Sequence, residues 1–542
     1  MMESKGLSMF TNKKSLLVLS IASAIALSGC FNDNDNEEAE TPPPITPPAV
    51  IVPPAAPVAL APVGNVNVVD AESTDLVAAN ISFFENGTAS TNIVDIDGNV
   101  TATIDATDGS FTFQLKSGAS VSKITAVVKA DTYITKSYII DLEELSAGNL
   151  DVQLPLISKQ AANVATTDVT EAIADGGATS AAITADVAEG QAAANVTIAA
   201  GTVLQDANGD AITGDSVTLS VITADTNTSA GAAVTPEGLN TVANAGVTLI
   251  PVSVVNVEML DNNGVKIKKF SQPITISMAI PQEKGFSTGD ELELLSQNED
   301  TGVWTTEPEK LVVGSFVDAG NYFNASFETD HLTTFTGAAV NDSCNVPLRI
   351  EASGTAIPAD GLFVKVGSND VSFSKKLALN NPILVKQVNM QEQGIAADTK
   401  ANIVITDSNN TVWFETTSEV ELCGNISAVL TGPTAINETL TLEAQCSNDT
   451  SVTFAASGAL VKYSLPNKTK KVASNEDGTS SYALINLLEG STYNVTATYT
   501  DTLASLGTKT YTITADGTDE SQIESIACDT ATGATGSTGG NG

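Results

Sequence analysis

The stretches Thr101-Ala102-Thr103-Ile104-Asp105, Thr107-Asp108-Gly109-Ser110 and Phe111-Thr112-Phe113-Gln114-Leu115 set two short alternating runs on either side of an Asp-Gly step. Side chains at every second position share a face, which is the period of a half-buried strand, and Asp-Gly between such runs predicts a hairpin. The same pattern extends outward on both sides. Ala78-Ala79-Asn80-Ile81-Ser82-Phe83-Phe84 precedes a turn at Asp95-Ile96-Asp97-Gly98-Asn99, and Ile124-Thr125-Ala126-Val127-Val128-Lys129 and Tyr138-Ile139-Ile140-Asp141-Leu142 follow. Residues 63–157 therefore read as one β-sandwich.

The rest of the chain repeats this grammar. Val196 to Thr202, a turn at Asp206-Ala207-Asn208-Gly209-Asp210, and runs at Val217–Val221, Val252–Glu258 and Ile274–Ile280 make a second β module over 193–340. Its hairpin leads from Glu291–Leu295 through Glu299-Asp300-Thr301-Gly302 to Val303-Trp304. Residues 158–192, rich in Ala, Thr, Asp and Gly with poor periodicity, read as a linker. Leu362–Val366 and Ala401–Ile405 mark a third module over 341–425, and Tyr493–Tyr499 a fourth over 426–529. Residues 530–542 are mostly Gly, Ser, Thr and Ala and read as a disordered tail. A chain of 542 residues is too long for one core. The expected fold is all-β, with three to four tandem antiparallel sandwiches.

The N-terminus is different. Lys5, Lys13 and Lys14 flank an apolar run from Ser15 to Leu27 that is too short to span a bilayer comfortably, with small residues at its exit, as in a processed signal peptide over 1–29. Leu27-Ser28-Gly29-Cys30 resembles the lipobox of bacterial lipoproteins. The resemblance implies cleavage before Cys30, diacylation of its thiol and acylation of its amine by chains such as palmitate, hence a stable membrane anchor. Phe31 stands where aspartate would imply inner-membrane retention. The implied destination is therefore the outer membrane, with the periplasmic and cell-surface sides both open. Residues 30–62 form a tether, first acidic and Asn-rich, then Pro-rich from Pro42 to Pro62.

Charge narrows the partners. The chain has 24 basic and 64 acidic residues, and loss of 1–29 leaves 21 against 63, a net charge near -42, with Arg349 the only arginine. Nucleic acid and anionic headgroups need a basic footprint, so neither is an expected ligand. The expected partners are the membrane, through Cys30, and a protein or glycan.

With Cys30 acylated, Cys344, Cys423, Cys446 and Cys528 remain. An even set in an oxidising compartment reads as two disulfides. Of three connectivities, Cys344 with Cys423 and Cys446 with Cys528 is favoured, because each pair brackets one module. A metal site is the weaker reading, since there is no CxxC spacing and no neighbouring histidine.

Two further resemblances concern single modules. Thr107-Asp108-Gly109-Ser110-Phe111 with a later Tyr133 resembles the carboxypeptidase-regulatory-like, transthyretin-like sandwich, whose members are accessory or structural. The family usually has Gly before that tyrosine, and Thr132 stands there instead. Thr329-Asp330-His331-Leu332-Thr333-Thr334-Phe335 resembles the self-cleaving site of GAIN domains, and Ile198 to Thr202 and Trp304 are loosely similar to ZU5-like and GAIN-like segments. That resemblance implies His331 as general base, Thr333 as nucleophile and the Leu332–Thr333 bond as the one cut. The cysteines that brace that turn in the family are absent. The alternative is a closing strand with His331 at its solvent edge and Leu332 and Phe335 in or near the core.

One histidine leaves no Ser-His-Asp triad away from position 331 and no multi-His zinc site. The Asp95–Asn99 and Asp206–Asp210 turns carry oxygen ligands, but neither has the terminal glutamate of an EF-hand, and hairpin chemistry explains them better. No cofactor is expected. The leading expectation is a non-enzymatic, membrane-tethered surface protein serving adhesion, binding or scaffolding. The alternatives are a self-cleaving protein and an accessory subunit of a secreted enzyme.

Overall fold

A computed structural model describes residues 50–146, 148–244, 246–358, 361–368, 372–376, 382–385, 387–475 and 479–531. The signal peptide, Cys30, most of the tether and residues 532–542 lie outside the described residues. The fold is all-β, built from packed sheets with a few short helical turns. No helix among the described residues is long and apolar enough to cross a membrane.

In the first module one sheet runs Leu150–Leu156, Gly64–Asp70, Ser110–Leu115, Ile93–Val94. The other runs Thr88–Ala89, Ala79–Glu85, Lys123–Lys129, Lys136–Asp141, with Thr103–Ala106 also on Ala79–Glu85. Between them Phe83, Phe111 and Phe113 form a triangle with centroids 5.6, 5.7 and 6.3 Å apart, close enough for tilted aromatic packing. Gly64 is required where the strand passes the Phe113 ring, since a Cβ there would lie 2.4 Å from it.

The Asp-Gly step at 108–109 is not a hairpin. Ile104 pairs with Ile81 in one sheet and Phe111 with Val66 in the other, so the turn arches over the core from sheet to sheet. Asp-Gly chemistry fixes the bend but not which neighbours the flanking strands choose. Gly109, at φ 72°, donates its N–H to the Ala106 carbonyl at 3.1 Å and accepts from Val68 at 2.8 Å.

Thr132, in the place of the family's glycine, has φ 64°. The backbone therefore keeps the left-handed geometry that makes glycine favourable, and a β-branched residue bears the strain. Tyr133 beside it donates its hydroxyl to Asp70 at 3.0 Å, anchoring the module's end.

Residues 158–192 are not a linker. Val164–Ala174 pairs along its length with Ser216–Ala224, and Ile183–Glu189 pairs with Ala192–Ile198. The inward positions there include Ala165, Ala185, Ala192 and Ala194, all buried. Alanine carries too little hydrophobic contrast to display the alternation in sequence. These strands belong to a sheet of twelve strands that makes the second module, with Val164–Ala174 and Ile183–Glu189 near its opposite ends. Side chains from both ends share one core with Leu219, Val257, Ile276 and Phe335, so the sheet curls upon itself.

The third module packs the sheet Ile383–Val385, Leu348–Gly354, Asn425–Leu430 against one containing Phe363–Gly367, Lys400–Thr406 and Val412–Glu415. It extends past the expected boundary at 425, because Asn425–Leu430 pairs in parallel with Leu348–Gly354 and Ile426, Ala428 and Leu430 enter its core. The fourth packs Asp449–Ala455, Ala435–Cys446 and Ser481–Leu488 against Leu460–Ser464, Thr492–Thr498 and Thr508–Thr514. The strand Asp529–Ala531 runs across the expected start of the tail at 530.

Residues 51–531 form one compact unit. Its modules are not beads on a string, because the first touches all the others. Asn65 and Asn67 point away from their own core yet are buried, donating to the Lys470 carbonyl of the fourth module at 2.6 and 3.0 Å. Lys468 pairs with Asp75 at 3.0 Å, and Lys470 pairs with Asp108. Toward the third module Lys123 reaches Glu392 at 2.5 Å. Toward the second, Lys129 reaches Asp300 at 3.0 Å. The end of the tether is fixed as well: Ser457 donates to the Pro57 carbonyl at 3.1 Å and Thr502 to that of Ala55 at 2.8 Å.

Lys462, partly buried in the junction of the first and fourth modules, has its pKa lowered to about 8 by burial and by Lys470, against Asp108 and Asp151. An unfolded lysine titrates near 10.4, so between pH 8 and 10 the unfolded chain holds a proton the folded chain has lost, and stability rises with pH there. Below pH 8 the full cost of the buried charge is present. Lys462→Met is expected to stabilise the protein by about 2 kcal/mol at pH 7, with the gain shrinking toward pH 10. Urea denaturation across that range measures it.

Candidate functional site

The Lys136–Asp141 strand places Lys136, Tyr138 and Ile140 on one face and Ser137 and Ile139 on the other. Tyr138 and Ile140 enter the core of the first module, while Ser137 and Ile139 meet the second. Gln297 donates to the Ser137 hydroxyl at 2.8 Å, and Ile139 donates its N–H to Glu237 at 2.9 Å. Trp304 completes this junction. Its indole N–H donates to the Glu237 carbonyl at 3.0 Å, and its ring packs with Leu239, Leu249, Leu295 and Ala338 on the sheet face opposite the main core.

Lys136 comes to the mouth of the first sandwich, and there the first, second and third modules enclose a cavity of about 580 Å³. Its walls include Val69, Pro155 and Ile157 from the first module's end, Ala233 and Glu237 from the second, and Lys365, Asn402 and Val404 from the third. Lys136 is 6% exposed, donates to the Ala233 carbonyl at 2.6 Å and lies 5.2 Å from the Tyr138 ring centroid. Lys365, between the inward Val364 and Val366, points out of its own sandwich and donates to Asn410 at 3.0 Å. Burial lowers both lysine pKa values, with Glu237 opposing the effect at Lys136. Burial, with Glu237 adding, pushes the Tyr138 phenol well up, and its hydroxyl donates to the Pro155 carbonyl.

Three carboxylates also line the cavity, those of Asp70, Glu72 and Glu237. Asp70 accepts from the backbone N–H groups of Glu72 and Ser73 at 2.9 and 2.7 Å and from Tyr133. The site thus combines apolar walls with two lysines and three carboxylates.

The GAIN-like residues span the end of the Tyr322–His331 strand and the start of the Thr334–Asp342 strand. His331, half-buried, meets Thr329 at 3.0 Å and Asp330 at 3.2 Å through Nδ1, and its Nε2 lies 3.5 Å from Glu307. Thr333 is buried and donates to Glu299 at 2.7 Å and to the Gln297 carbonyl. Among the described residues no hydrogen bond joins His331 to Thr333. Leu332 and Phe335 are buried in the core, as the closing-strand reading expects.

Glu299 also pairs with Lys268, and Asp300 gathers Lys129, Lys266 and Lys268 within 3.0–3.3 Å. Burial opposes the charge on Asp300, but these three ammoniums outweigh it and hold the carboxyl well below its usual range.

Both favoured disulfides are present, Cys344–Cys423 and Cys446–Cys528, with Cα–Cα distances of 5.6 and 5.3 Å. In the Asp-rich turns, Asp95 accepts from Asp97 and Asn99 N–H groups at 2.9 and 2.8 Å, and Asp206 from Asn208 and Asp210 at 2.8 and 3.0 Å. These carboxylates close their own turns, and no cluster of three metal-ligating side chains occurs among the described residues.

The sequence reading passed over Lys136 and Lys365. The available signal was a lysine in step with Tyr138 and Ile140 on an inward face. For Lys365 there was none, because an outward lysine on a sandwich strand ordinarily meets solvent.

No family model matches the chain, and no curated protein matches it. Among solved structures, the TIE protein of Bacillus anthracis is 7% identical with a TM-score of 0.13, over 76% of this chain and 55% of that one. This chain therefore spans about half the length of that protein. The major pilin subunit BcpA of Bacillus cereus is 10% identical with a TM-score of 0.13, over 86% of this chain and 99% of that one. The major pilin RrgB of Streptococcus pneumoniae is 9% identical with a TM-score of 0.14, over 86% and 99%. Likenesses at this level carry no weight for this chain's fold or function, which rest on its own residues.

Proposed function

We propose that this chain is a membrane-tethered surface lipoprotein whose cross-braced sandwiches act as an adhesion or scaffold body for a protein or glycan. The observation that supports it best is the bracing itself. The first module is fixed to each of the others by side-chain contacts, and the end of the tether is fixed to the fourth. Such bracing holds a surface in one orientation with respect to its attachment point, as a displayed binding body requires. The lipobox-like Leu27-Ser28-Gly29-Cys30 supplies the attachment in this reading.

The test uses lipid vesicles displaying the acylated mature chain, passed over immobilised glycans and cell-envelope proteins. Saturable retention is expected, and Cys30→Ser, which releases the chain from the vesicles, removes it. Equal retention of vesicles with and without the protein contradicts the proposal.

A further inference from the structure

We propose that Val164–Ala174, the long outer strand of the second module, takes up an extended segment of a partner protein as an added strand, and that this segment alternates apolar and basic residues. The proposal rests on the reading of the chain as a protein-binding body and names an edge at which it binds. Val164–Ala174 keeps one register with Ser216–Ala224 over nine residue pairs without a bulge. Its other side is paired only at Ile173 and Ala174, by the two-residue strand Ala178–Thr179. The register also settles which backbone groups are left over. Asp225 donates its N–H to the Asn163 carbonyl at 2.9 Å, and Ile173 donates its own to Asp215 at 3.0 Å, at the two ends of the pairing. In an antiparallel ladder alternate residues bond to the same neighbour, so the odd-numbered residues between these ends face Ser216–Ala224. Thr166, Asp168 and Thr170 therefore turn their N–H and C=O groups to the open side. Free ladder groups on a straight strand are a template for pairing, and natural edges are commonly blunted by a bulge, a proline or a lysine. This edge has none of the three, and its only charges are Asp168 and Glu171.

The chemistry of the partner follows from what the edge leaves uncovered. Val169 and Ile173 pack on the main core yet stay half-buried, in one cluster with the buried Ile183, Ala185 and Val187 of the strand Ile183–Glu189. The core is thus open along this side, and an added strand closes it with apolar residues at every second position. Asp168 and Glu171 are exposed, and among the described residues neither forms an ion pair. From residue 160 to residue 265 the chain has twelve acidic residues and no lysine, arginine or histidine, so the local sequence supplies negative charge only. A basic segment is drawn to such an edge, whereas an acidic segment, or the same edge of a second copy, is repelled.

The test is a calorimetric titration of the full mature chain, carrying Cys30→Ser and free of vesicles and glycans, with a short synthetic peptide that alternates valine and lysine. Salt at about 0.3 M screens attraction between distant exposed charges. One control peptide is N-methylated at alternate residues, which keeps the charge and removes the ladder donors, and another has glutamate in place of lysine. The expected result is one-to-one saturable binding of the lysine peptide, weakened roughly tenfold or more by N-methylation. Thr166→Pro removes one outward N–H, spares the ladder to Ser216–Ala224 and changes no charge, so it weakens the same peptide by roughly tenfold at unchanged circular dichroism. Asp168→Lys combined with Glu171→Lys leaves the backbone as it is and shifts the preference to the glutamate peptide. Absence of saturable binding by the wild type, or affinity within about twofold after N-methylation, overturns the proposal. Dimerisation of the chain that Thr166→Pro abolishes also overturns it, by assigning the edge to a second copy. Vesicle retention on envelope proteins without peptide binding here leaves the adhesive reading standing and removes this edge from it.

Discussion

Replacing Cys446 and Cys528 together by alanine is expected to destabilise the fourth module by about 4 kcal/mol, the loop-closure entropy of a link spanning 82 residues. The consequence does not stay local. Module four holds the tether through Ser457 and Thr502 and the first module through the Lys470 backbone. Urea denaturation of the double variant, followed together with hydrogen exchange at Asn65 and Asn67, measures both effects. The midpoint falls, and protection in the first module falls with it. The Cys344–Cys423 link spans a similar 79 residues, and its removal is expected to cost a similar amount in the third module.

The second large effect is expected at Trp304. Its ring is 3% exposed, it fills the small core with Leu239, Leu249, Leu295 and Ala338, and its N–H satisfies the Glu237 carbonyl. Trp304→Ala removes that volume and takes away the 3.0 Å hydrogen bond to the carbonyl, whose contacts to Gln297 and Ser137 are longer, each 3.4 Å. A cost of about 4 kcal/mol follows from cavity creation alone. Trp304→Phe keeps most of the volume and loses the hydrogen bond, so its cost is expected to be about 1–2 kcal/mol. Equilibrium unfolding of the two variants separates packing from hydrogen bonding. The alanine variant is also expected to loosen the first module, because Glu237 and Gly238 lie between Trp304 and Ile139.

The fold class was legible because it rests on a period of two, which Ile274–Ile280 and Phe111–Leu115 display openly. The disulfides were legible because each pair brackets a unit of chain that closes on itself. Three things were not. The strands between 164 and 192 hide because Ala165, Ala185 and Ala192 take inward positions that a larger apolar residue would mark. The arch at Asp108-Gly109 hides because turn residues fix a local bend, whereas the choice of sheet is made by Phe111 and Phe113 seeking a core with Phe83. The junctions hide because Asn65, Asn67, Lys136 and Lys365 are polar residues of the kind that ordinarily face water. Their burial follows from modules meeting, and no local pattern records it.

At His331 the order of residues was legible and their partners were not. The motif's residues are in the order that self-cleavage uses, but the hydroxyl of Thr333 is directed to Glu299 and the Gln297 carbonyl. Those partners lie more than thirty residues away in sequence.

The central claim is that residues 51–531 behave as one braced body. Small-angle X-ray scattering of that segment tests it most directly. A radius of gyration near that of a single compact chain of this length, about 23 Å, and somewhat larger for four packed sandwiches, is the predicted result. A value roughly twice that, with the multiple correlation peaks of flexibly linked modules, would contradict it.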